Sequence, residues 1–331
     1  MILIISNEYE PTTDLVIDWL ISKNACFLRI NSEDISQVLQ TNKISPTSDL
    51  LILNGQEVDL KKINVIWYRR WYDYSNFRVQ APTKHIRQAL NEAKEECNNV
   101  SSFLFKILSD KTWLTSPFVN KLHNKLYALR MAKSVGLSIP ATLITNSKKE
   151  LLDFYHENNN SIITKPVGDP YVFVDEKTED NYKSFTEKVS SAFLKKLNDF
   201  FFSSLFQAYL PTKNELRVFY LDGEFYPTAI INSKTTDIKL SVSYGVSKIN
   251  MVAIQLPEEI AEQLHQLMKI LELNSGSIDL LQTEDGNIHF IEVNPIGQFM
   301  GYSGSLNYQL DEKIADWLIK KDSYEKAENQ I

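Results

Sequence analysis

The N-terminal part of the chain alternates between short apolar runs and amphipathic stretches. Met1–Ser6 and Cys26–Ile30 are apolar runs of strand length, and Thr12–Ser22 between them carries its apolar residues at helical spacing. Leu50–Leu53 and Val65–Tyr68 predict two further strands. A strand, helix, strand opening favours a parallel sheet with a crossover helix, so we predict an α/β domain here.

The middle of the chain continues this alternation. Helical spacing predicts helices over Thr83–Leu108 and Asn120–Gly136, the second ending at a glycine that suits a helix C-terminus. Ala141–Thr145 and Ser161–Lys165 predict strands on either side of a helix over Lys148–Asn158. We expect these elements to form a second, smaller α/β unit.

The C-terminal part predicts strands and helices that complete an α/β fold. In chain order they are strands Leu216–Tyr220 and Phe225–Ile231, helix Glu258–Leu271, strands Ile278–Leu281 and Ile288–Val293, and helix Asp311–Lys320. We therefore predict three domains, an N-terminal α/β domain over 1–118, a central one over 119–205 and a C-terminal one over 206–331.

The composition is that of a soluble globular protein, since 43% of the 331 residues are hydrophobic and 23% are charged. The net charge of −7 argues against a general nucleic-acid binder. This net charge still allows a local basic patch between positions 61 and 87. Its members are Lys61, Lys62, Arg69, Arg70, Arg78, Lys84 and Arg87.

Cysteine spacing and hydropathy indicate the compartment. Cys26 and Cys97 lie in no zinc-ligand or disulfide pattern. No apolar run reaches the roughly 18 residues of a transmembrane helix, and Met1–Ile5 is too short for a signal peptide. We therefore expect a cytoplasmic protein that binds neither membranes nor nucleic acids.

Three oxygen-bearing side chains gather on the predicted C-terminal hairpin. A turn signal at Glu284–Asn287 separates its strands, and period-two alternation places Glu292 and Asn294 on one face, with Asp279 expected opposite. Such oxygens suit Mg²⁺, which keeps open positions for nucleotide phosphates. An ordinary charged surface hairpin would show the same residues, so the pattern alone leaves both interpretations open.

Two lysines in the middle unit suggest an anion site. Lys125 lies on a predicted helix, and Lys165 ends an apolar strand directly before Pro166. Both ammonium groups can point into one cleft, or simply face solvent. The following loop, Pro166–Tyr171, holds one glycine, and neither GxxxxGK[ST] nor GxGxxG occurs in the chain. Any nucleotide site is therefore of another kind.

An extended segment and a charged row follow. The backbone of Phe206–Pro211 can hydrogen-bond an adenine edge while Leu210 packs on the adenine face. Directly after it, Lys213, Glu215 and Arg217 alternate on one face of a strand. A half-exposed strand without a ligand would show the same alternation.

The order of these signals resembles the ATP-grasp superfamily of carboxylate–amine and carboxylate–alcohol ligases. The signals are Asn124-Lys125, Lys165-Pro166, Gln207-Ala-Tyr-Leu210, Glu215-Leu-Arg217, Asp279 and Glu292-Val-Asn-Pro295. The resemblance covers about 120 to 320 and implies an ATP-grasp fold, with the N-terminal region similar to the family's pre-ATP-grasp domain. Within the superfamily, Ile66–Trp71 and Gly297-Gln298 are similar to microviridin-type peptide ligases, which make graspetides. Ser305–Ala315 is similar to the branch encoded beside a SPASM-type radical enzyme.

The resemblance implies a role for each matched residue. Lys125 and Lys165 would hold the ATP phosphates, and Arg217, with Lys165 and Lys213, would act on the transferring phosphoryl group. The adenine pocket would be lined by Gln207, Ala208, Tyr209 and Leu210, with Glu215 on the ribose. The Mg²⁺ ligands would be Asp279, Glu292 and Asn294, and Asn294 would also contact the nucleotide.

The resemblance further implies an ATP- and Mg²⁺-dependent macrocyclase. It would activate Asp or Glu side chains of a ribosomal precursor peptide, leader plus core, as acyl phosphates and join them to Ser or Thr hydroxyls or Lys amines. A homodimer and a radical SAM/SPASM maturation partner are expected with it. Two other hypotheses stay open: a ligase that adds amino acids to a protein tail or joins small molecules, and a non-catalytic module that binds nucleotide or peptide.

A peptide leader needs a docking surface. Trp67, Arg69, Arg70 and Trp71 suit an acidic or aromatic peptide, or else form a buried strand end with two solvated arginines. The alternative surfaces are the helix Glu258–Leu271 and the segment Asp237–Ile249.

Overall fold

The computed structural model describes residues 1–36, 41–71, 83–168, 172–174, 181–183, 185–231 and 250–328. The chain divides into two compact units. The first comprises 1–122, 273–275 and 298–331, and the second comprises 123–272 and 276–297. The second unit therefore holds the residues predicted to bind nucleotide and metal, whereas the three predicted domain boundaries stay a prediction.

The first unit contains a four-stranded sheet. Its strands and helices, in chain order, are β1 (Ile2–Ser6), α1 (Pro11–Ser22), β2 (Phe27–Asn31), α2 (Ser32–Ser36), β3 (Leu50–Leu53), β4 (Gln56–Asp59), β5 (Val65–Tyr68), α3 (Lys84–Ile107), β6 (Thr112–Leu114) and α4 (Pro117–Leu122). The strand order is β2-β1-β5-β6, and β3 and β4 form a separate hairpin. Every pair in the larger sheet is parallel, which confirms the predicted opening.

The described residues of the second unit form two larger sheets and a short hairpin. Its elements are α5 (Lys125–Ser134), β7 (Thr142–Ser147), α6 (Lys148–Glu157), β8 (Ile162–Lys165), β9 (Val172–Val174), β10 (Asn181–Lys183), β11 (Glu187–Lys188), α7 (Ser191–Lys196), β12 (Phe200–Ala208), β13 (Thr212–Leu221), β14 (Glu224–Ile231), β15 (Asn250–Ala253), α8 (Glu258–Ile270), β16 (Ser275–Thr283) and β17 (Ile288–Asn294). The smaller sheet has the order β11-β8-β12-β7, and the larger one has the order β15-β14-β13-β16-β17.

Each of the two larger sheets of the second unit has a face that packs against helices. In the smaller sheet, Ile162 and Phe206 pack on Leu151 and Phe154 of α6 and Leu194 of α7. In the larger sheet, the Tyr220 hydroxyl lies 2.9 Å from His265 Nδ1 of α8, and α5 packs against β17 and α8. Because side chains alternate along a strand, the residues between these project from the opposite face, and Gln207 and Arg217 of the predicted site are among them.

Two helices complete the first unit, α9 (Met300–Ser303) and α10 (Leu310–Glu328). The last helix packs against α1, where Trp19 Nε1 donates to Asp311 at 2.8 Å. The helix predicted over Asp311–Lys320 is therefore confirmed and extends further. None of the described helices is long and apolar enough to cross a membrane.

One predicted element is wrong. The helix expected over Asn120–Gly136 is two helices, α4 and α5, separated at His123 and Asn124. The Asn124 side chain accepts hydrogen bonds from the backbone N–H of Leu126 and of Tyr127, both at 3.0 Å. Because this N-cap satisfies the first free amides of α5, a new helix begins at Lys125.

Candidate active site

The β16–β17 hairpin brings the predicted metal ligands together. Its strands pair antiparallel, with Asp279 directly opposite Glu292, as the sequence predicts. Directly opposed side chains project from the same face, and Asn294 shares that face because it lies two positions after Glu292. The pairing register shifts directly after Asp279. Asn294 is exposed, and its Oδ1 accepts a hydrogen bond from the backbone N–H of Ile296 at 3.2 Å.

Two glycines allow the chain to close tightly around Asn294. A Cβ atom on Gly276 would lie 3.0 Å from the Asn294 carbonyl oxygen. Gly297 has a φ of +39°, and a Cβ atom there would lie 2.8 Å from the Ser277 backbone nitrogen. A larger residue would have to displace backbone at either position, so the glycines help to set the position of Asn294.

Lys125 reaches the hairpin from the N-terminus of α5. Its Nζ lies 3.2 Å from Glu292 Oε2. The helix packs against β17 and α8, and its residues Ala128, Leu129 and Ala132 are buried. The predicted phosphate ligand therefore contacts a predicted metal ligand.

Arg217 reaches the same hairpin from β13, the strand beside β16. Its Nη1 lies 3.6 Å from Asp279 Oδ1. Arg217 shares its face of β13 with Glu215, which is half-buried, and with Lys213, which is exposed near the start of the strand. The predicted row of three charged residues is thus on one face, and its member Arg217 contacts Asp279 of the carboxylate pair.

The four charged side chains form two ion pairs with no net charge. Their exposed fractions lie between 15% and 28%, so each pair is partly shielded from water. Among the described residues, no three His, Cys, Asp or Glu side chains gather as a metal site would require. The donor set of Asp279, Glu292 and Asn294 still fits Mg²⁺, because this ion commonly takes one or two protein carboxylates and completes its shell with water and substrate phosphates.

The smaller sheet presents Lys165 and Gln207 on the face opposite its helices α6 and α7. Lys165 ends β8 opposite Leu205, and Gln207 lies opposite Ile163 and Thr142 on the flanking strands. The core residue Phe206 alternates with these and points to the helices. Gln207 is buried, and its Nε2 donates to Thr142 Oγ1 at 2.9 Å. Its amide is therefore already held by the sheet.

The remaining predicted adenine-site residues follow at the end of β12. Ala208 lies opposite Ile162, on the face that packs against helices. Tyr209 and Leu210 leave the strand, and the Leu210 carbonyl accepts a hydrogen bond from Thr212 Oγ1 at 2.9 Å. The loop Pro166–Tyr171 lies outside the described residues from position 169 to 171.

Lys188 is a site candidate that the sequence pattern does not reveal. Its Nζ lies 3.6 Å from the centre of the Tyr209 ring, which is a cation–π contact. Lys188 pairs with Ile163 in the register, so it projects from the same face as Gln207. Strand β11 is only two residues long, and no periodic signal could have predicted it.

The proposed docking residues of the first unit are mostly buried. Trp67 and Arg69 are each 3% exposed. Burial lowers the pKa of Arg69 to about 10, against the attraction of Glu10, which lies 3.4 Å away. Trp71 donates from Nε1 to Ser101 Oγ at 3.2 Å. The prediction of two solvated arginines is thus wrong for Arg69, whose side chain is buried in the interior of the first unit.

Glu10 is the buried carboxylate that faces Arg69. Burial alone would raise its pKa, but the Arg69 guanidinium, the Thr13 backbone N–H and the Arg70 guanidinium together hold the pKa below its usual range. The backbone N–H of Thr13 donates to Oε2 at 2.8 Å, so Glu10 is also the N-cap of α1.

The basic patch between positions 61 and 87 is partly neutralised. Lys61 pairs with Asp49 at 2.9 Å, and Lys62 pairs with Asp59 at 3.5 Å. Arg78 lies outside the described residues. The patch is therefore interrupted by carboxylates rather than continuous.

Comparison with known families decides the class of this site. The family model of the ATP-grasp domain of prokaryotic glutathione synthetase matches residues 124–294, slightly more than half of the chain. The chain belongs to the ATP-grasp ligases. The match begins at the N-cap of α5 and ends at Asn294, so it contains both ion pairs. The predicted ATP-grasp fold and ligase class are confirmed.

Individual ATP-grasp proteins resemble the chain over most of its length. The α-aminoadipate–LysW ligase LysX of Sulfurisphaera tokodaii is 24% identical over 256 residues, which cover 73% of this chain and 81% of the relative. The structure of macrocyclase MdnC bound with precursor peptide MdnA, from Microcystis aeruginosa, has a TM-score of 0.81 at 23% identity, covering 97% of this chain and all of that one. The RiPP-associated ATP-grasp ligase of Chryseobacterium gregarium, in complex with ADP and a leader and core peptide, has a TM-score of 0.81 at 22% identity, covering 97% and 96%. These structures share the fold.

Proposed function

We propose that this ATP-grasp ligase cross-links a ribosomal precursor peptide, joining Asp or Glu side chains to Ser or Thr hydroxyls or Lys amines. The observation that carries the proposal is the pairing of Lys125 with Glu292 and of Arg217 with Asp279 on one sheet face. Two cations and two carboxylates placed together suit phosphoryl transfer, which depends on positioning and electrostatic stabilisation more than on a protein nucleophile.

The predicted site residues divide into metal ligands and residues that bind phosphate. Asp279, Glu292 and Asn294 would hold Mg²⁺, which supplies charge neutralisation on the phosphates when bound. Lys125 and Lys165 would bind the phosphates of ATP, and Arg217 would face the transferring phosphoryl group. Lys213 is exposed and would act only at the rim of the site.

The reaction has two steps. A peptide carboxylate oxygen takes the γ-phosphoryl group, and ADP leaves, so that a mixed anhydride forms on the peptide. The hydroxyl or amine of a second side chain then attacks the carbonyl carbon, phosphate leaves with the oxygen, and the attacking group loses its proton. The peptide loses one water for each cross-link.

Nucleotide contacts extend to the smaller sheet. Gln207, Ala208, Tyr209 and Leu210 would border the adenine and Glu215 would bind the ribose. The Gln207 side chain is bonded to Thr142, so its contribution would be to hold the sheet while the backbone of Tyr209 and Leu210 meets the base.

Peptide as the substrate is supported by the two solved ligases, which are described with precursor, leader or core peptides and align over 97% of this chain. The homodimer, the radical SAM/SPASM partner and the cytoplasmic location belong to the same proposal. The second candidate is transfer of an amino acid to a carrier protein, which the likeness to LysX favours.

The test is to incubate the protein with ATP, Mg²⁺ and the small peptide encoded beside its gene, and to measure ADP and peptide mass. We expect peptide-dependent ADP release and a loss of about 18 Da per cross-link, which is the water lost after activation by phosphoryl transfer. Glu292→Gln should abolish both, whereas Glu284→Gln, an exposed residue in the turn of the same hairpin, should change neither. An unchanged peptide mass would reject the macrocyclase, and ADP release that requires a free amino acid would favour the carrier-protein ligase.

A further inference from the structure

Thr228 carries a hydroxyl that the fold alone does not explain. Its side chain is fully buried in the middle of β14, with an exposed fraction of 0%. Within the part of the chain that the structure describes, Oγ1 has no hydrogen-bond partner. Buried hydroxyl groups are nearly always bonded, because the lost hydration costs folding free energy, and valine would fill the same space without that cost.

The position of Thr228 points to the candidate active site. Thr228 lies directly opposite Arg217 in the antiparallel β13–β14 pair. Side chains that oppose each other in this way share a face, with their Cβ atoms about 4.5–5.5 Å apart. The hydroxyl is therefore beside the stem of the arginine that contacts Asp279.

The present contact of Arg217 leaves donors for a second acceptor. Its Nη1 lies 3.6 Å from Asp279 Oδ1, which is longer than an N–H···O hydrogen bond. A guanidinium group has five N–H donors, and a threonine hydroxyl can accept with two lone pairs. When Asp279 shares its charge with a divalent cation, its attraction for Arg217 falls and the guanidinium needs another acceptor.

We propose that Thr228 is the positioning residue of Arg217: in the nucleotide-loaded enzyme, Thr228 Oγ1 accepts a hydrogen bond from the guanidinium and holds it toward the transferring phosphoryl group. The inference rests on the proposed function for the metal role of Asp279 and the phosphate role of Arg217. The buried hydroxyl, which has no hydrogen-bond partner among the described residues, would then be the acceptor for Arg217.

A double-mutant cycle on nucleotide binding tests the proposal without requiring turnover. The affinity for Mg²⁺ and AMPPNP, a non-hydrolysable ATP analogue, is measured by calorimetry for the wild type, Thr228→Val, Arg217→Ala and the double variant. We expect Thr228→Val to weaken binding about tenfold, as for a hydrogen bond to a charged group. It should have no further effect in Arg217→Ala, and Thr228→Ser should stay within about twofold of the wild type because it keeps the hydroxyl.

Thermal unfolding separates this role from a structural one. Thr228→Val should unfold at the same temperature as the wild type or higher, since no bond is lost. Thr145→Val is the matched control: this buried hydroxyl accepts a hydrogen bond from the Ser147 backbone N–H at 3.0 Å. That variant should unfold at a lower temperature and bind AMPPNP normally.

The proposal is overturned by AMPPNP affinity within about twofold of the wild type in Thr228→Val. It is also overturned by an equal loss in both Arg217 backgrounds, which would mean that the two residues act independently. If the cycle shows coupling but the wild type joins no peptide, the proposed function fails and the role of Thr228 stands. If the wild type binds no AMPPNP, both fail.

Discussion

Lys125 Nζ lies 3.2 Å from Glu292 Oε2, so a predicted phosphate ligand neutralises a predicted metal ligand. Arg217 and Asp279 repeat this relationship at 3.6 Å. Each pair can exchange its partners, the cation turning to phosphate and the carboxylate to metal. Nucleotide and metal should therefore favour each other's binding, because each one frees the partner that the other needs.

Lys125→Met tests this exchange. We expect ATP to bind about tenfold more weakly, because a positive charge on the phosphates is lost, while Mn²⁺ alone binds as tightly as before or more tightly, because Glu292 has lost its competing cation. Calorimetry with each ligand, alone and together, measures both effects. Lys133→Met, which removes an exposed lysine from the last turn of the same helix, is the control. Weaker Mn²⁺ binding in Lys125→Met would contradict the exchange.

Lys188→Met tests the cation–π contact with Tyr209. The change keeps an apolar stem but removes the charge over the ring, so Tyr209 should be held less firmly beside the proposed adenine site. We expect ATP affinity to fall about two- to fivefold, as for an exposed cation–π pair. Lys195→Met, on the exposed side of α7, should bind ATP normally. Equal ATP affinities of Lys188→Met and Lys195→Met would mean that Lys188 does not contribute to nucleotide binding.

Gly297→Ala tests the tight closure after Asn294. A Cβ atom would lie 2.8 Å from the Ser277 backbone nitrogen at a positive φ, so the chain around Asn294 must shift. We expect about 1–3 kcal/mol lower free energy of unfolding, the usual range for strained glycine replacements, together with weaker metal binding. Gly304→Ala, with no heavy atom within 4 Å of the new Cβ, provides the comparison in denaturant unfolding. Wild-type stability and metal affinity in Gly297→Ala would show that the closure tolerates a side chain.

Glu10→Gln tests the buried pair with Arg69. The change removes the carboxylate that lies 3.4 Å from a 3%-exposed guanidinium, which should cost about 3 kcal/mol of unfolding free energy near neutral pH. Glu8→Gln, an exposed neighbour, should cost much less. A stability loss no greater than that of Glu8→Gln would mean that Arg69 does not depend on Glu10.

The same pair predicts a pH dependence. Because the Glu10 pKa is lower in the folded than in the unfolded chain, its contribution is complete above the usual value of 4.5 and is lost as the pH falls below it. Urea unfolding across this window should show a steeper loss of stability in the wild type than in Glu10→Gln. Parallel curves would assign the acid sensitivity to other groups.

Much of the candidate site could be predicted along the chain. The alternation in β13 placed Glu215 and Arg217 on one face, and the turn between β16 and β17 brought Asp279 opposite Glu292. These features depend on residues close together in the sequence and on the two-residue period of a strand, and both can be inferred from the order of residue types. The break before α5 was missed, because the N-cap Asn124 lies inside a continuous helical pattern and only its hydrogen bonds reveal it.

The sequence by itself determined the class of the fold, the order of the site segments and the chemical types gathered in them. Only the tertiary structure decided that Lys125 meets Glu292, that Lys188 lies over Tyr209, and that Arg69 is interior rather than a docking residue. The reason is physical: these contacts join residues far apart in the chain, and their geometry depends on sheet register and helix packing, whereas local patterns record only burial and spacing.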